Sequence, residues 1–291
     1  TLGQERYIDQ LLHRYEYQDL SERRLYLPND FDLHKALDTP LLSGVAKRNF
    51  QSMTGSLLYA YRSTRPDIAV PLWLCTKFGH APTEGMLKAM TSPFRYVKFS
   101  KSYKICYGRV NHSLFPELAE RYKYDVNVPV GIADANHSTS HKYTTKVNPR
   151  SVNFALVFYN GAAVEWKLSQ MTRIALSSTE AELSASNLGA RLLEFARHLF
   201  TFIGNPMDVP YPLLSDSKGA LANIKHPIAD GKLIHVEPAE YFARECQKNG
   251  RIISSHVPRA YMVADIGTHL VSSPKFLLEA TCFIMNMEYR V

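Results

Sequence analysis

Cysteine is scarce in this chain of 291 residues: Cys75, Cys106, Cys246 and Cys282 lie far apart and form no paired metal-ligand spacing. That excludes a disulfide framework or zinc knuckle, and a reducing, intracellular setting is expected. Long apolar runs are also missing. No stretch approaches the roughly 20 residues needed to span a bilayer, and the opening segment TLGQERYIDQLLHRY reads as an amphipathic helix without the apolar core of a signal peptide. No membrane partner is expected. Internal repeats and low-complexity tracts are absent too, which excludes solenoids and disordered arrays.

What is present is a globular composition, 45% hydrophobic and 21% charged, enough to bury one large core or two smaller ones. The formal net charge of +7 points to a polyanionic partner without identifying it. The pattern changes in the middle of the chain. Up to about residue 107 it reads as helices through QERYIDQLLHRY, NFQSMTGSLLYAYRS and PDIAVPLWLCTKFG, and residues 108–125 read as a polar linker. From Val126 the residues alternate, with Val126, Val128, Val130 and Ile132 on one face of an expected strand that reaches Asp134. SVNFALVFYN and AAVEWKLS follow as strands around a turn-forming Asn-Gly. Then come a long helix, a strand through YPLLSDS, helices, a strand through RIISSHV and a helix through MVADIGTHLV.

The long helix opens RIALSSTEAEL and carries two glutamates where one would cap it. Ser177 with Glu180 and Thr179 with Glu182 both have the capping-box spacing, so either can serve the helix start. Ala181, Ala185, Leu188, Leu192, Phe195 and Leu199 mark the expected buried stripe, whereas Glu182, Ser186 and Gly189 form a small and polar line beside it, bordering the sheet. A carboxylate at that border is costly to desolvate unless a cation or hydrogen-bonding partner compensates it. Asp134, Asp216 and Asp265 also lie near the ends of expected elements. Singly, each reads as an ordinary capping or turn residue; gathered together, such hard oxygen ligands are what two magnesium ions need for phosphodiester hydrolysis.

These residues resemble the copia-type retrotransposon polyproteins, at the end of the reverse transcriptase and the ribonuclease H domain that follows it. YIDQLL, GSLLY, RPDIA and RYVK in the first half, and VGIADAN, NGAAVEW, ALSSTEAEL, LLSDSKGAL, IHVE, YFARE and VADIGTH in the second, stand in the family's order. ALSSTEAEL is the most specific of these. The resemblance implies an α/β fold with a ribonuclease H-like mixed five-stranded sheet and flanking helices over residues 126–275, preceded by a mainly helical reverse-transcriptase thumb or connection segment over 1–107 and followed by a tail at 276–291. It implies cleavage of the RNA strand of RNA–DNA hybrids with Mg2+, or Mn2+ as the alternative ion, and no small-molecule cofactor. The remainder of a polyprotein is an implied partner, and a cytoplasmic virus-like particle or the nucleus the implied location. Matched motif by motif, the metal-binding and catalytic roles fall on Asp134, Glu182, Asp216 and Asp265. Glu182 takes the role over Glu180 because Leu183 and Ala185 follow it as a hydrophobic and a small residue follow the glutamate of ribonucleases H.

The chain also departs from the family. Asn136 stands where a second acid is usual, His137 where an aromatic is usual, and Pro93 is expected to interrupt the helix leading to RYVK. No Tyr-x-Asp-Asp tetrapeptide occurs, so no polymerase activity is expected from this chain alone. Up to residue 125 there are 18 Lys and Arg against 13 Asp and Glu, +5 of the chain's +7. Arg95, Lys98, Lys101 and Lys104 recur every three residues among Tyr96, Phe99 and Tyr103. That is a candidate strip for gripping a nucleic-acid backbone, and equally a solvated face. His256 falls in the last expected strand and is expected to pack there, and His137 and His235 have no assigned role. Two functions stand side by side: a metal-dependent ribonuclease H, and a decayed or co-opted retroelement fragment acting as a nucleic-acid-binding or protein-binding scaffold.

Overall fold

The computed structural model of the chain describes residues 1–108, 127–137, 150–226 and 241–287. The expected linker from residue 109 on, Val126 and His235 lie outside them. The described residues fall into two units, one from 1–106 and 269–287 and the other from within 107–268.

The first unit runs β1 (Leu2–Gly3), α1 (Glu5–Arg14), α2 (Leu33–Leu37), α3 (Gly44–Ser63), a 3-10 turn at Pro66–Ile68, α4 (Ala69–Phe78), α5 (Glu84–Phe99) and β2 (Lys104–Ile105), with β2 pairing antiparallel to β1. The stretch expected as a tail is instead largely a helix, Pro274–Met285. It belongs to this unit, where Cys106 N donates to Met285 O and Asn286 Nδ2 donates to Cys106 O. Pro93 does not interrupt its helix: α5 continues through it. A proline inside a helix costs about 3 kcal/mol. Met86, Met90, Phe94 and Val97 are all buried along the same helix, and each contributes about 1.5–3 kcal/mol by leaving water. Edge-on contacts from Tyr15 and Tyr17 to the Phe94 ring hold the proline's turn in place.

The RPDIA motif sits at the centre of this unit. Arg65 and Asp67 are both 0% exposed. The guanidinium donates through Nε to Asp67 Oδ1 (2.9 Å) and through Nη2 to Oδ2 (2.7 Å), and Nη1 donates to the Ser100 carbonyl (3.2 Å). The rings of Tyr96 and Tyr103 lie 5.6 and 5.7 Å from its carbon. Burial alone would favour the neutral arginine, but the charge and hydrogen bonds of Asp67 outweigh it and raise its pKa.

The second unit is a five-stranded mixed sheet with flanking helices, the arrangement that the resemblance implied. Its elements are β3 (Val130–Asn136), β4 (Val152–Tyr159), β5 (Ala162–Gln170), α6 (Ser178–Phe202), β6 (Tyr211–Ser215), α7 (Lys218–Lys225), α8 (Phe242–Lys248), β7 (Ile252–His256), a 3-10 turn at Arg259–Tyr261 and α9 (Asp265–Thr268). The strand order is β5-β4-β3-β6-β7. β3 pairs antiparallel with β4 and parallel with β6, and β6 pairs parallel with β7. Asn160 and Gly161, both at positive φ, make the turn between β4 and β5, as the Asn-Gly signal implies.

Three expectations shift here. β3 starts at Val130, and Asp134 lies within the strand rather than at its end. The last helix is a single turn, α9, instead of the longer one read through MVADIGTHLV. On α6, Phe195 (55% exposed) and Leu199 (47%) point to solvent, while Ser186 is fully buried. The small residues decide this orientation. A Cβ on Gly189 would stand 2.7 Å from Leu213 Cδ1 and 3.2 Å from Ala133 Cβ, so the helix meets the sheet along its smallest line.

Asp67→Asn, which strands a buried guanidinium without its counter-charge, is expected to cost about 3–5 kcal/mol, read as a lowered denaturant midpoint for the first unit. Asp9→Asn, at the exposed Lys101–Asp9 pair (3.0 Å), should leave that midpoint unmoved.

Candidate active site

The acids converge by the register of the sheet. Asp134 faces Phe154 across the β3–β4 pair and is 3% exposed. β6 lies parallel on the other side of β3, and Asp216 follows its last residue. α6 crosses the same strands and carries Glu182 in its first two turns. One carboxylate oxygen from each of Asp134, Glu182 and Asp216 falls within 4.8 Å of the others. Asp265 opens α9 and shares a hydrogen bond with Asp134.

Crowding of this kind holds protons. Burial, then the charges of Asp134, Asp216 and Asp265, push Glu182 up to about 9, while the Ala135 backbone amide pulls it part of the way back. Burial and then Asp134 push Asp265 up to about 8. Asp216 is raised by burial and by Asp134, and Arg259 draws both of these aspartates back down. Glu182 Oε2 is buried with no hydrogen-bond partner among the described residues. A set of hard, crowded carboxylate oxygens with one buried lone oxygen fits a divalent cation such as magnesium or manganese, which would replace the protons as the compensating charge.

The two glutamates separate. Ser177 is the N-cap, its Oγ accepting from Glu180 N at 3.1 Å, and Glu180 reaches back to accept from Leu176 N at 2.7 Å. Arg173 pairs with its other oxygen at 3.2 Å. Glu180 therefore holds the helix start, and Glu182 faces the acids.

Several residues that hold the site had no such role assigned from the sequence. Thr268 Oγ1 donates to Asp134 Oδ2, orienting that carboxylate. Asn136 Nδ2 donates to the Thr268 carbonyl at 2.9 Å, so the asparagine standing in the place of an acid ties α9 to β3. Gly267 lets this turn lie on β4, since a Cβ there would meet the Phe154 ring at 2.1–2.5 Å. The signal for both lay in the spacing of DIGT, where a threonine one turn after the aspartate returns to the same face. His256 ends β7 opposite Ser215, within the last strand. His137 Nε2 lies 3.3 Å from the Ala175 carbonyl, beside the entry to α6.

The basic strip lies in the first unit, and three of its members hold partners there. Arg95 donates to Ser21 Oγ, Lys98 to the carbonyls of Gln18 and Leu20, and Lys101 pairs with Asp9. Lys104 lies on β2, its stem against Gly3. These contacts staple the segment around residues 18–21 to α5.

No family model matches the chain. It is 24% identical over 281 residues to the retrovirus-related Pol polyprotein from transposon TNT 1-94 of Nicotiana tabacum, covering 95% of this chain. A second match, 24% identical over 233 residues and 78% of this chain, is the Pol polyprotein from transposon RE1 of Arabidopsis thaliana. Its homologues are retrovirus-related Pol polyproteins of plant transposons. The chain spans 20% and 14% of those two relatives' lengths. It is also 25% identical over 136 residues to the secreted RxLR effector protein 161 of Plasmopara viticola, covering 47% of this chain and 82% of the effector. Among solved structures, an N-terminal ribonuclease H domain from Mycobacterium tuberculosis, fused to maltose-binding protein, gives a TM-score of 0.33 at 17% identity, over 48% of this chain and 89% of that one. LC11 ribonuclease H1 in complex with RNA/DNA hybrid gives 0.32 at 13% identity, over 46% and 88%.

Metal-free stability should fall with rising pH. Glu182 and Asp265 keep their protons in the folded chain up to about 9 and about 8, against 4.5 and 3.8 ordinarily. The folded state therefore binds more protons in that window, and the stability present below about pH 4 is progressively lost towards pH 9. Thermal melts in chelator across that range check it, and Glu182→Gln should flatten the dependence and melt above wild type at pH 9. Glu180→Ala, which removes the Leu176 hydrogen bond, should instead cost about 1 kcal/mol at every pH.

Proposed function

We propose that the second unit is a divalent-metal-dependent ribonuclease H of retrotransposon type, hydrolysing the RNA strand of RNA–DNA hybrids, with magnesium as the working ion and manganese as the alternative. The observation that carries this reading is the meeting of Asp134, Glu182 and Asp216 oxygens within 4.8 Å on an otherwise unneeded electrostatic load. Alignment of nearly the whole chain with transposon Pol polyproteins supports it.

In this reading Asp134, Glu182, Asp216 and Asp265 would hold two divalent ions, which would supply a lowered water pKa and charge stabilisation at the leaving oxygen. The remaining work belongs to the protein. Thr268 fixes the rotamer of Asp134, Asn136 and Gly267 hold α9 against the sheet, and the Ser177–Glu180 cap fixes the start of the helix that presents Glu182. Water adds to phosphorus, the bond to the 3′ oxygen breaks, and a 5′-phosphate and a 3′-hydroxyl result.

A second reading, a co-opted scaffold that binds without cutting, draws on the match to a secreted effector over most of that protein's length. A labelled RNA–DNA hybrid separates the two. The ribonuclease reading expects RNA-strand cleavage in magnesium that stops with chelator and falls to background in Asp134→Asn. Binding without cleavage in either magnesium or manganese would replace it with the scaffold reading.

A further inference from the structure

Between Asp216 and Asp265 the chain passes an arginine that the metal-site reading does not use. β7 runs parallel to β6 and its last pair is Ser215 with His256, so the chain leaves the sheet beside Asp216, and Val257 N donates to Ser215 O at 3.0 Å. Pro258 is extended, a 3-10 turn covers Arg259–Tyr261, Met262 N donates to Arg259 O at 3.0 Å, and Asp265 N donates to Met262 O at 3.1 Å. Val257, Met262, Val263 and Ala264 are all 0% exposed, whereas Arg259 is exposed. The backbone on both sides is anchored, and the arginine stands at the rim of the acidic cluster on a fixed turn.

We propose that Arg259 binds a backbone phosphate of the nucleic-acid substrate at the rim of the Asp134, Glu182, Asp216 and Asp265 cluster. This rests on the ribonuclease reading and adds to it a substrate contact. Among the described residues the guanidinium forms no hydrogen bond and no ion pair, yet its charge is felt at both Asp216 and Asp265. It stands close enough to act on the site while its donors stay available. Clustered carboxylates repel a phosphodiester, and a fixed cation beside them offsets that repulsion without occupying the metal positions. The planar fork of arginine matches two phosphate oxygens, which a lysine's point charge does not. Anchoring on both sides means that the backbone need not be ordered when the phosphate arrives, leaving the side chain's rotamer entropy as the cost.

The test is a series of RNA–DNA hybrids carrying one neutral methylphosphonate in the DNA strand or at RNA positions flanking the cut, assayed in magnesium with wild type, Arg259→Gln and Arg259→Lys. On the unmodified hybrid Arg259→Gln should weaken binding about tenfold or more and make the salt slope shallower by about one counterion, with Arg259→Lys in between. At one methylphosphonate position wild type should lose as much, while Arg259→Gln loses nothing further. Identical profiles for wild type and Arg259→Gln overturn the proposal. So does a lowered metal-free melting temperature in Arg259→Gln with an unchanged profile, which would make Arg259 a counterion of the acids. If wild type cuts the hybrid and the profiles coincide, the inference alone falls; if wild type neither binds nor cuts, the ribonuclease reading falls and takes the inference with it.

Discussion

The close approach of α6 to the sheet is the constraint on which the site depends. Gly189 leaves no room for even a Cβ against Leu213 and Ala133, and Ser186 beside it is fully buried. A larger residue at either position would lift the helix and carry Glu182 out of reach of Asp134 and Asp216. Gly267 does the same for α9 on the other side, lying against the Phe154 ring so that Asp265 can reach Asp134. Two glycines thus set the spacing of four acids, because close packing transmits sub-ångström differences directly.

That packing opposes electrostatics. Carboxylates within 4.8 Å of each other repel, and burial sharpens the repulsion by removing water. Retained protons relieve it, which is why Glu182 rises to about 9 and Asp265 to about 8. The surrounding compensation is sparse by comparison: Thr268 on Asp134, the Ala135 amide on Glu182, and the charge of Arg259 on Asp216 and Asp265. A core that needed only stability would have no use for this arrangement, since apolar residues of similar volume would pack there at no such cost.

The first unit meets a similar problem with the opposite solution. Arg65 and Asp67 are as buried as any acid in the site, but the guanidinium is answered by hydrogen bonds to Asp67 and Ser100 and by the rings of Tyr96 and Tyr103. Every charge there has its partner within the protein, so the pair specifies one arrangement of α5 against the Pro66–Ile68 turn. Lys98 and Arg95 of α5 likewise anchor the segment around residues 18–21.

Much of this was legible from local signals. Alternation marked the strands, Asn160–Gly161 marked the hairpin, and the Ser177-x-x-Glu180 spacing marked the helix start, because each is decided by neighbours within a few residues. Local signals misled where burial decided. Pro93 stays helical because the residues around it are in the core, and of the expected stripe on α6, Ala181, Ala185, Leu188 and Leu192 are buried while Phe195 and Leu199 face solvent, since the helix meets the sheet along Gly189 and Ser186. The sequence alone determined which residues carry acid, the order of the elements, and that Glu180 and Glu182 compete for one cap. The resemblance chose Glu182 over Glu180; only the tertiary structure brought Glu182 to the other acids and decided that Asn136 and Thr268 hold the site together. Those facts depend on strand register and on the distance between a helix and a sheet, which residues far apart in the chain set together.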